Sequence, residues 1–330
     1  SSAGRQPMFD MGGQVGVVFN GEIYNYGELR PGLIQRGYTF KSQSDTEVIL
    51  NAYRQDGIDC IQDFIGMFAF AIYDTKTGKV FIVRDRLGIK PLYYAQYDGK
   101  LLFASEMKSL LHYPGFPRSA DPVAISSYLS YRYPVGTRTF FKDIRSLPPG
   151  HYLEIDGDKL RCVQYWDVPR IKDRPDHGEA WYVERIRELL ESAVKYRMIS
   201  DVPVGAYLSG GLDSSIVVAL MASLTNKPVK TFTIGFEEQG FNEFGFAKQV
   251  VERFGTDHHE IVLPSEDYIE NMRRLVRFKD APLSVPNEPA IYVMSKHLKE
   301  FITVVLSGEG ADELFGGYGR IFRSPFDYQR

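Results

Sequence analysis

Hydrophobic and polar positions follow two different rhythms along this chain. Up to about residue 166, short β-prone runs predominate, at residues 15–19, 67–73, 80–83, 92–97, 101–104 and 151–155. Turn sequences such as Asp74-Thr75-Lys76-Thr77-Gly78, Asp98-Gly99 and Asp156-Gly157-Asp158 separate them, as hairpin connections do. Two helical patterns interrupt the runs, at 26–36 and 46–55. The first half is therefore expected to be antiparallel sheet with helices packed on it, an α+β layer domain.

Residues 167–178 are rich in charge and proline and poor in apolar side chains, which marks a linker between a domain at 1–166 and one at 179–330. Beyond it the period becomes 3.6. Ile186, Leu189, Leu190, Ala193, Val194 and Arg197 fall on one helical stripe, expected to be buried. Apolar runs at 204–208, 229–235, 259–263 and 302–306 then alternate with helical segments. Continuous apolar strands between helices predict a doubly wound α/β domain, a parallel sheet covered on both faces, whose ligand sits at the carboxyl ends of the strands.

Composition narrows the function classes. A length of 330 residues suits two domains, each long enough to bury its own core. A net charge of -3 gives no overall field to hold nucleic acid or an anionic membrane. The longest apolar run, residues 64–73, is about half of the ~20 residues a membrane-spanning helix needs. Two cysteines, Cys60 and Cys162, lack zinc or redox spacing and are expected to be packing residues in a reducing cytoplasm. The chain opens at Ser1 with neither an initiating methionine nor a signal-peptide layout.

Two loops carry the strongest chemistry. Leu208-Ser209-Gly210-Gly211-Leu212-Asp213-Ser214-Ser215 follows a strand and opens the helix expected at 214–222. Paired glycines let backbone amides approach an anion, the helix N-terminus presents positive potential, and the serines add hydroxyl donors. Asp213 is placed to hold a magnesium ion on phosphate oxygens. A serine-capped glycine turn is the plainer alternative. The absence of a Gly-Lys-Ser ending excludes a Walker loop. The second loop, from Ser307 through Gly308, Glu309, Gly310, Ala311, Asp312 and Glu313 to Tyr318, again follows a strand. Three carboxylates in five positions repel one another unless they share a cation or face solvent as an acidic turn.

The first loop resembles the pyrophosphate loop of ATP pyrophosphatases, and the second resembles a signature of glutamine-dependent asparagine synthetases. On that resemblance the fold is an αββα N-terminal-nucleophile glutaminase domain followed by an adenylating domain. It also implies that Asp213 and Asp312 share magnesium, that Glu309 serves aspartyl-adenylate formation, and that Leu208, Ile234, Ser307 and Gly308 enclose adenosine. ATP contacts extend to Ser209, Gly210, Gly211, Ser214 and Ser215.

Phe19-Asn20-Gly21-Glu22-Ile23-Tyr24-Asn25 reads either as an Asn-Gly hairpin turn or as an oxyanion site. It resembles the glutamine pocket of the same glutaminases, where the Asn side chain and Gly amide form the oxyanion hole and the Glu holds substrate. Ser44-Asp45-Thr46-Glu47 is a capping box, and the resemblance gives Asp45 the α-amino group of glutamine. Arg84-Asp85-Arg86-Leu87-Gly88-Ile89-Lys90-Pro91-Leu92-Tyr93-Tyr94 and Phe103-Ala104-Ser105-Glu106-Met107-Lys108 also match family signatures and are assigned mainly to structure. His258-His259 cannot chelate one ion from a strand, where neighbouring side chains point to opposite faces.

The family's N-terminal nucleophilic cysteine, the arginine segment near it and a catalytic lysine beyond residue 330 are missing. The chain is accordingly expected to be the middle of a longer protein, binding ATP weakly by itself and not hydrolysing glutamine. The expected activity of the whole is synthesis of asparagine from aspartate, ATP and glutamine in the cytoplasm, with a homodimer allowed. Rivals are a relative that amidates or ring-closes another carboxylate, and a nucleotide-binding regulatory protein without turnover. Retention of Asn20, Gly21, Glu22 and Asp45 weighs against the ring-closing relatives, and intact Asp213, Glu309 and Asp312 weigh against the regulator.

Overall fold

The computed structural model describes residues 4–169, 175–237 and 242–319. Among them, 4–169 together with 279–284 make one compact unit, and 175–278 and 285–319 belong to a second.

The first unit starts with β1 (Met8–Phe9) and β2 (Val15–Ile23), then α1 (Tyr26–Gln35) and α2 (Asp45–Asp56). The strands β3 (Gly66–Asp74) and β4 (Lys79–Arg84) precede a hairpin of β5 (Tyr93–Tyr97) and β6 (Lys100–Ala104). After α3 (Met107–Leu111) and α4 (Pro122–Tyr131) come β7 (Arg145–Ser146), β8 (His151–Asp156) and β9 (Lys159–Gln164). One antiparallel sheet runs in the order β1-β2-β3-β4-β8-β9, and a smaller one in the order β6-β5-β7.

The period of two along β3 explains the layering. Phe68, Phe70 and Ile72 point to one face, into a core with Val48 and Ile49 of α2. Ala69 and Ala71 point to the other, where Leu92, Leu147 and Leu153 meet Tyr94 and Leu101 of the small sheet. Met107 and Leu110 of α3 then cover Ala95 on a separate core. The layers are helix, sheet, sheet, helix, as expected. Each fully buried Phe or Ile contributes about 1.5–3 kcal/mol.

The Asn20-Gly21 pair is not a turn: β2 runs on through it, with Asn20 opposite Ala69 and Gly21 opposite Phe68. Cys60 is buried, whereas Cys162 lies exposed on the edge strand β9 rather than in a core. The helix α4, unmarked in the hydrophobic pattern, had local signals: Pro122 in its first turn, and Asp121, whose Oδ1 accepts from Val123 N at 2.9 Å and Ala124 N at 3.2 Å.

The second unit begins with α5 (Glu179–Arg197), β10 (Val204–Tyr207), α6 (Leu212–Leu224) and β11 (Lys230–Phe236). It continues through α7 (Phe244–Phe254), β12 (Asp257–Leu263), α8 (Ser265–Lys279), α9 (Glu288–Leu298), β13 (Val304–Leu306) and α10 (Ala311–Phe315). The sheet is all parallel, in the order β12-β11-β10-β13. Val194, Val218, Met221 and Ala247 from α5, α6 and α7 cover one face, and Met294 and Leu298 of α9 cover the other. From β10 the chain winds outward to β11 and β12, yet β13 returns on the opposite flank of β10. The winding therefore reverses between β10 and β13, which opens a crevice at their carboxyl ends.

The predicted stripe of α5 is buried only near its end. Val194 is 5% exposed, while Ile186 is 37% and Leu189 53% exposed. Helical spacing marks a face fit for burial without identifying what covers it.

Candidate active sites

In the second unit, both loops emerge at that crevice. Leu208 is buried, and its amide donates to Phe232 O at 2.9 Å, which pins the exit of β10. Ser214 organises the first loop: its Oγ accepts from Ser209 N at 3.3 Å, lies 3.0 Å from Ser209 Oγ and donates to Gly211 O at 3.2 Å. Ser215 Oγ donates to the same carbonyl at 2.6 Å, and Gly211 N donates to Ser209 Oγ at 3.2 Å. The hydroxyls thus tie the loop to itself, and Gly211 stands at the N-cap of α6 with no side-chain cap bond. Its first-turn amides, next to Asp213, face the crevice side of the helix, where an anion would sit. Gly210 takes φ +80° with its Cα against the Phe246–Ala247 backbone, so a side chain fits neither sterically nor conformationally.

Gly308 brings the second loop against the first. A Cβ there would stand 2.9 Å from Asp213 Cβ and 3.0 Å from Ser214 N. Ser307 Oγ accepts from Glu309 N at 3.4 Å, and Ile234 lies half-buried on neighbouring β11. The three carboxylates do not all press on one another. Tyr318 Oη donates to Glu313 Oε1 at 2.6 Å, which holds the Glu313 carboxyl below its usual range and pushes the Tyr318 phenol up to about 12. That leaves exposed Glu309 and half-buried Asp312 for ligand chemistry. Among the described residues no three His, Cys, Asp or Glu side chains form a metal cluster. Asp213 and Asp312, one from each loop, are the carboxylates that would hold a magnesium ion here, an ion that takes one or two carboxylates with phosphate oxygens and water.

His258 and His259 are engaged separately. His258 Nδ1 lies 2.9 Å from Thr231 Oγ1, while the His259 ring stacks on Phe232 with centroids 5.1 Å apart.

In the first unit, the end of β2 and the start of α2 converge. Asp45 Oδ2 accepts from Ile23 N at 3.0 Å, and its Oδ1 accepts from Thr46 N at 2.8 Å. Burial holds the Asp45 carboxyl above its usual range against these bonds. Glu22 is raised too, first by burial and then by the Asp45 charge, with Lys90 opposing. Two half-buried carboxylates this close favour a cationic group between them, such as an α-ammonium. Gly21 takes φ +150°, and a Cβ there would stand 2.7 Å from Phe68 Cα. The backbone can lie this close to β3 only as glycine. Asn20 Nδ2 donates to Ser105 Oγ at 3.0 Å. The sequence reading missed Ser105 and Lys90 as members of this site, although both lie in segments it had singled out as structural.

The capping box forms only in part. Ser44 caps α2 through Thr46 N at 3.2 Å, but Glu47 reaches back past it to Lys41 N and Ser42 N, each at 2.7 Å. Asp85, 1% exposed, accepts from the amides of Phe68, Leu87, Ile89 and Lys90 at 2.9–3.1 Å. Arg84 donates to the carbonyls of Gly88, Lys90 and Leu147 at 2.6–2.8 Å. These bonds fold the 84–94 segment into a fixed turn that presents Lys90.

A layered antiparallel unit with an Asn-Gly-Glu strand end, followed by a doubly wound unit with paired Ser/Gly/carboxylate loops, defines an amidotransferase-type half joined to a nucleotide-type half. Residues 1–166 match the family described as glutamine amidotransferase domain, and residues 185–329 match that described as asparagine synthase. The chain belongs to the family that combines these two domains. Glutamine-hydrolyzing asparagine synthetase 1 of Bacillus subtilis (strain 168) is 38% identical over 312 residues, 94% of this chain and 48% of that protein. A putative glutamine-hydrolyzing asparagine synthetase 2 of Methanocaldococcus jannaschii is 39% identical over 307 residues, 92% of this chain and 58% of the relative. Amidase chry2 of Gibberella zeae is 31% identical over 340 residues, 96% of this chain and 49% of the relative. The chain spans about half the length of the curated relatives it matches.

Proposed function

We propose that this chain is the glutaminase and adenylating body of an enzyme that converts aspartate to asparagine with ATP and the amide nitrogen of glutamine. The observation that carries the reading is Gly308 packed on Asp213 and Ser214, which sets both Ser/Gly/carboxylate loops at one reversal point of a parallel sheet. A carboxylate resists attack by ammonia because its carbon is electron-rich. Transfer of AMP removes that resistance: a β-carboxylate oxygen attacks the α-phosphorus of ATP, and pyrophosphate leaves. Ammonia then adds through its lone pair to the acyl carbon, AMP departs with the C–O bonding pair, and the nitrogen loses a proton.

Within this scheme Ser209, Gly210, Gly211, Ser214 and Ser215 cradle the phosphates, and Leu208, Ile234, Ser307 and Gly308 line the adenosine side. Glu309 serves the acyl-adenylate. Asp213 and Asp312 would hold magnesium, which supplies charge neutralisation on the leaving pyrophosphate. In the first unit Asn20 Nδ2 and the Gly21 amide stabilise the oxyanion formed on the glutamine carboxamide, while Glu22 and Asp45 hold the α-amino group. A second reading, amidation of a different carboxylate, is favoured by the similarity to amidase chry2.

The test uses the protein extended to its full encoded length. It is given ATP, glutamine and aspartate, and asparagine, AMP and pyrophosphate are quantified with and without EDTA. Equal yields of all three, abolished by EDTA and restored by magnesium, support the proposal. Pyrophosphate released only with another acid moves the assignment to the second reading, and none with any acid refutes both.

A further inference from the structure

The connection between α8 and α9, residues 279–284, belongs to the first unit although it lies far along the sequence. Asp280 holds it there. Its Oδ2 accepts from Lys108 N at 2.9 Å and lies 3.7 Å from Lys108 Nζ. Leu283 O accepts from Tyr128 Oη at 2.6 Å. Lys108 is the second residue of α3, a five-residue helix whose N-cap, Glu106, makes no side-chain cap bond. A helix this short does not sustain itself, and its first amides need an outside acceptor. Asp280 is that acceptor, 172 residues away, and it adopts φ +54° to reach. Three residues before Lys108 stands Ser105, whose Oγ accepts from Asn20 Nδ2.

We propose that Ser105 is a positioning residue for Asn20 in the glutamine site and that Asp280 holds it in place, so that glutamine hydrolysis depends on the α8–α9 connection. The proposal rests on the amidotransferase reading above. A carboxamide rotates freely about its last bond and has two chemically different ends. The Ser105 oxygen occupies one Nδ2 hydrogen, which keeps the amide nitrogen turned toward it and leaves the second hydrogen for the substrate oxyanion. Ser105 can do this only while the start of α3 is fixed, and the Asp280 carboxylate fixes it.

The experiment measures glutamine hydrolysis by the full-length protein, with kcat and KM separated, and ammonia-dependent pyrophosphate release as a second readout. Ser105→Ala is expected to lower glutaminase kcat about tenfold, less than the 10²–10³ lost when an oxyanion donor is removed outright, with little change in KM. Ser105→Thr, which keeps the hydroxyl, retains most of the activity. Asp280→Gly, which suits the positive φ but removes the carboxylate, lowers kcat about threefold and has no further effect in the Ser105→Ala background. Ammonia-dependent activity is unchanged in all three. The proposal falls if Ser105→Ala keeps wild-type kcat, if Ser105→Thr loses as much as Ala, if the Asp280 and Ser105 effects multiply, or if both activities fall together. Absence of glutamine hydrolysis by the wild-type protein overturns the amidotransferase reading itself, and the proposal with it.

Discussion

Substituting Gly308 by alanine perturbs the contact that brings the two Ser/Gly/carboxylate loops together, on which the proposed adenylating site rests. Gly308 is not among the positive-φ glycines, so alanine introduces no backbone strain there. What it introduces is a methyl group 2.9 Å from Asp213 Cβ, 3.0 Å from Ser214 N and 3.1 Å from Asp213 C. Carbon atoms rest at about 3.5–4.0 Å, so the two loops must separate by roughly 0.6–1 Å. Both sides are backbone or Cβ atoms at the start of α6, so no flexible side-chain end can move aside. Such overpacking costs about 1–3 kcal/mol of stability, or a few degrees in Tm. Displacement near 1 Å at a reacting centre costs about 10²-fold in rate. Aspartate-dependent ATP–pyrophosphate exchange by the full-length Gly308→Ala protein should fall by that order, with only a small loss of Tm. Gly310→Ala is the control, because Gly310 has φ +95° and open space around its Cα. It strains the backbone by about 1–2 kcal/mol without forcing the loops apart. If Gly308→Ala exchanges at the wild-type rate, or no worse than Gly310→Ala, the two loops do not form one site.

Two further outcomes test the first unit. Asp85→Ala takes the acceptor from four amides, that of buried Phe68 and those of Leu87, Ile89 and Lys90 in the turn, and should destabilise this unit by about 3 kcal/mol in urea unfolding; a loss below about 1 kcal/mol would show that the turn does not depend on this carboxylate. Glu22→Gln should raise Tm at neutral pH while abolishing glutamine binding, because the Glu22 carboxyl is raised in the fold by burial and the Asp45 charge. A raised carboxyl weakens the fold as pH climbs from the unfolded value of 4.5 through the folded value, so the stability gain should vanish below about pH 4.5. A gain that persists at low pH contradicts the charge argument.

How the candidate glutamine site is built was only partly legible. Asn20, Gly21, Glu22 and Asp45 stand out by residue type, since side-chain amide, glycine and carboxylates are the groups that an amide substrate with an α-ammonium requires. Ser105 and Lys90 do not, because a serine or lysine beside a hairpin has many ordinary reasons to be there. Asn-Gly was ambiguous for a physical reason: the pair suits a hairpin turn, and it equally suits a strand where another backbone passes too close for a Cβ. Only the register with Phe68 decides between them. Glu47 shows the same limit on a smaller scale, because a capping-box spacing does not say which of several nearby amides the carboxylate will take.

By itself the sequence determined the period of each half, and with it an antiparallel layered sheet followed by a parallel one. It also singled out the two Ser/Gly/carboxylate loops at the ends of parallel strands. Periodicity and residue type are local properties, readable within a dozen residues. Tertiary structure alone decided that Gly308 meets Asp213, that Glu313 accepts from Tyr318, that the stripe of α5 is covered only near its end, and that Asp280 caps a helix 172 residues away. These are contacts between segments distant in the chain, and no local pattern encodes which partner a buried face or an unpaired amide will find.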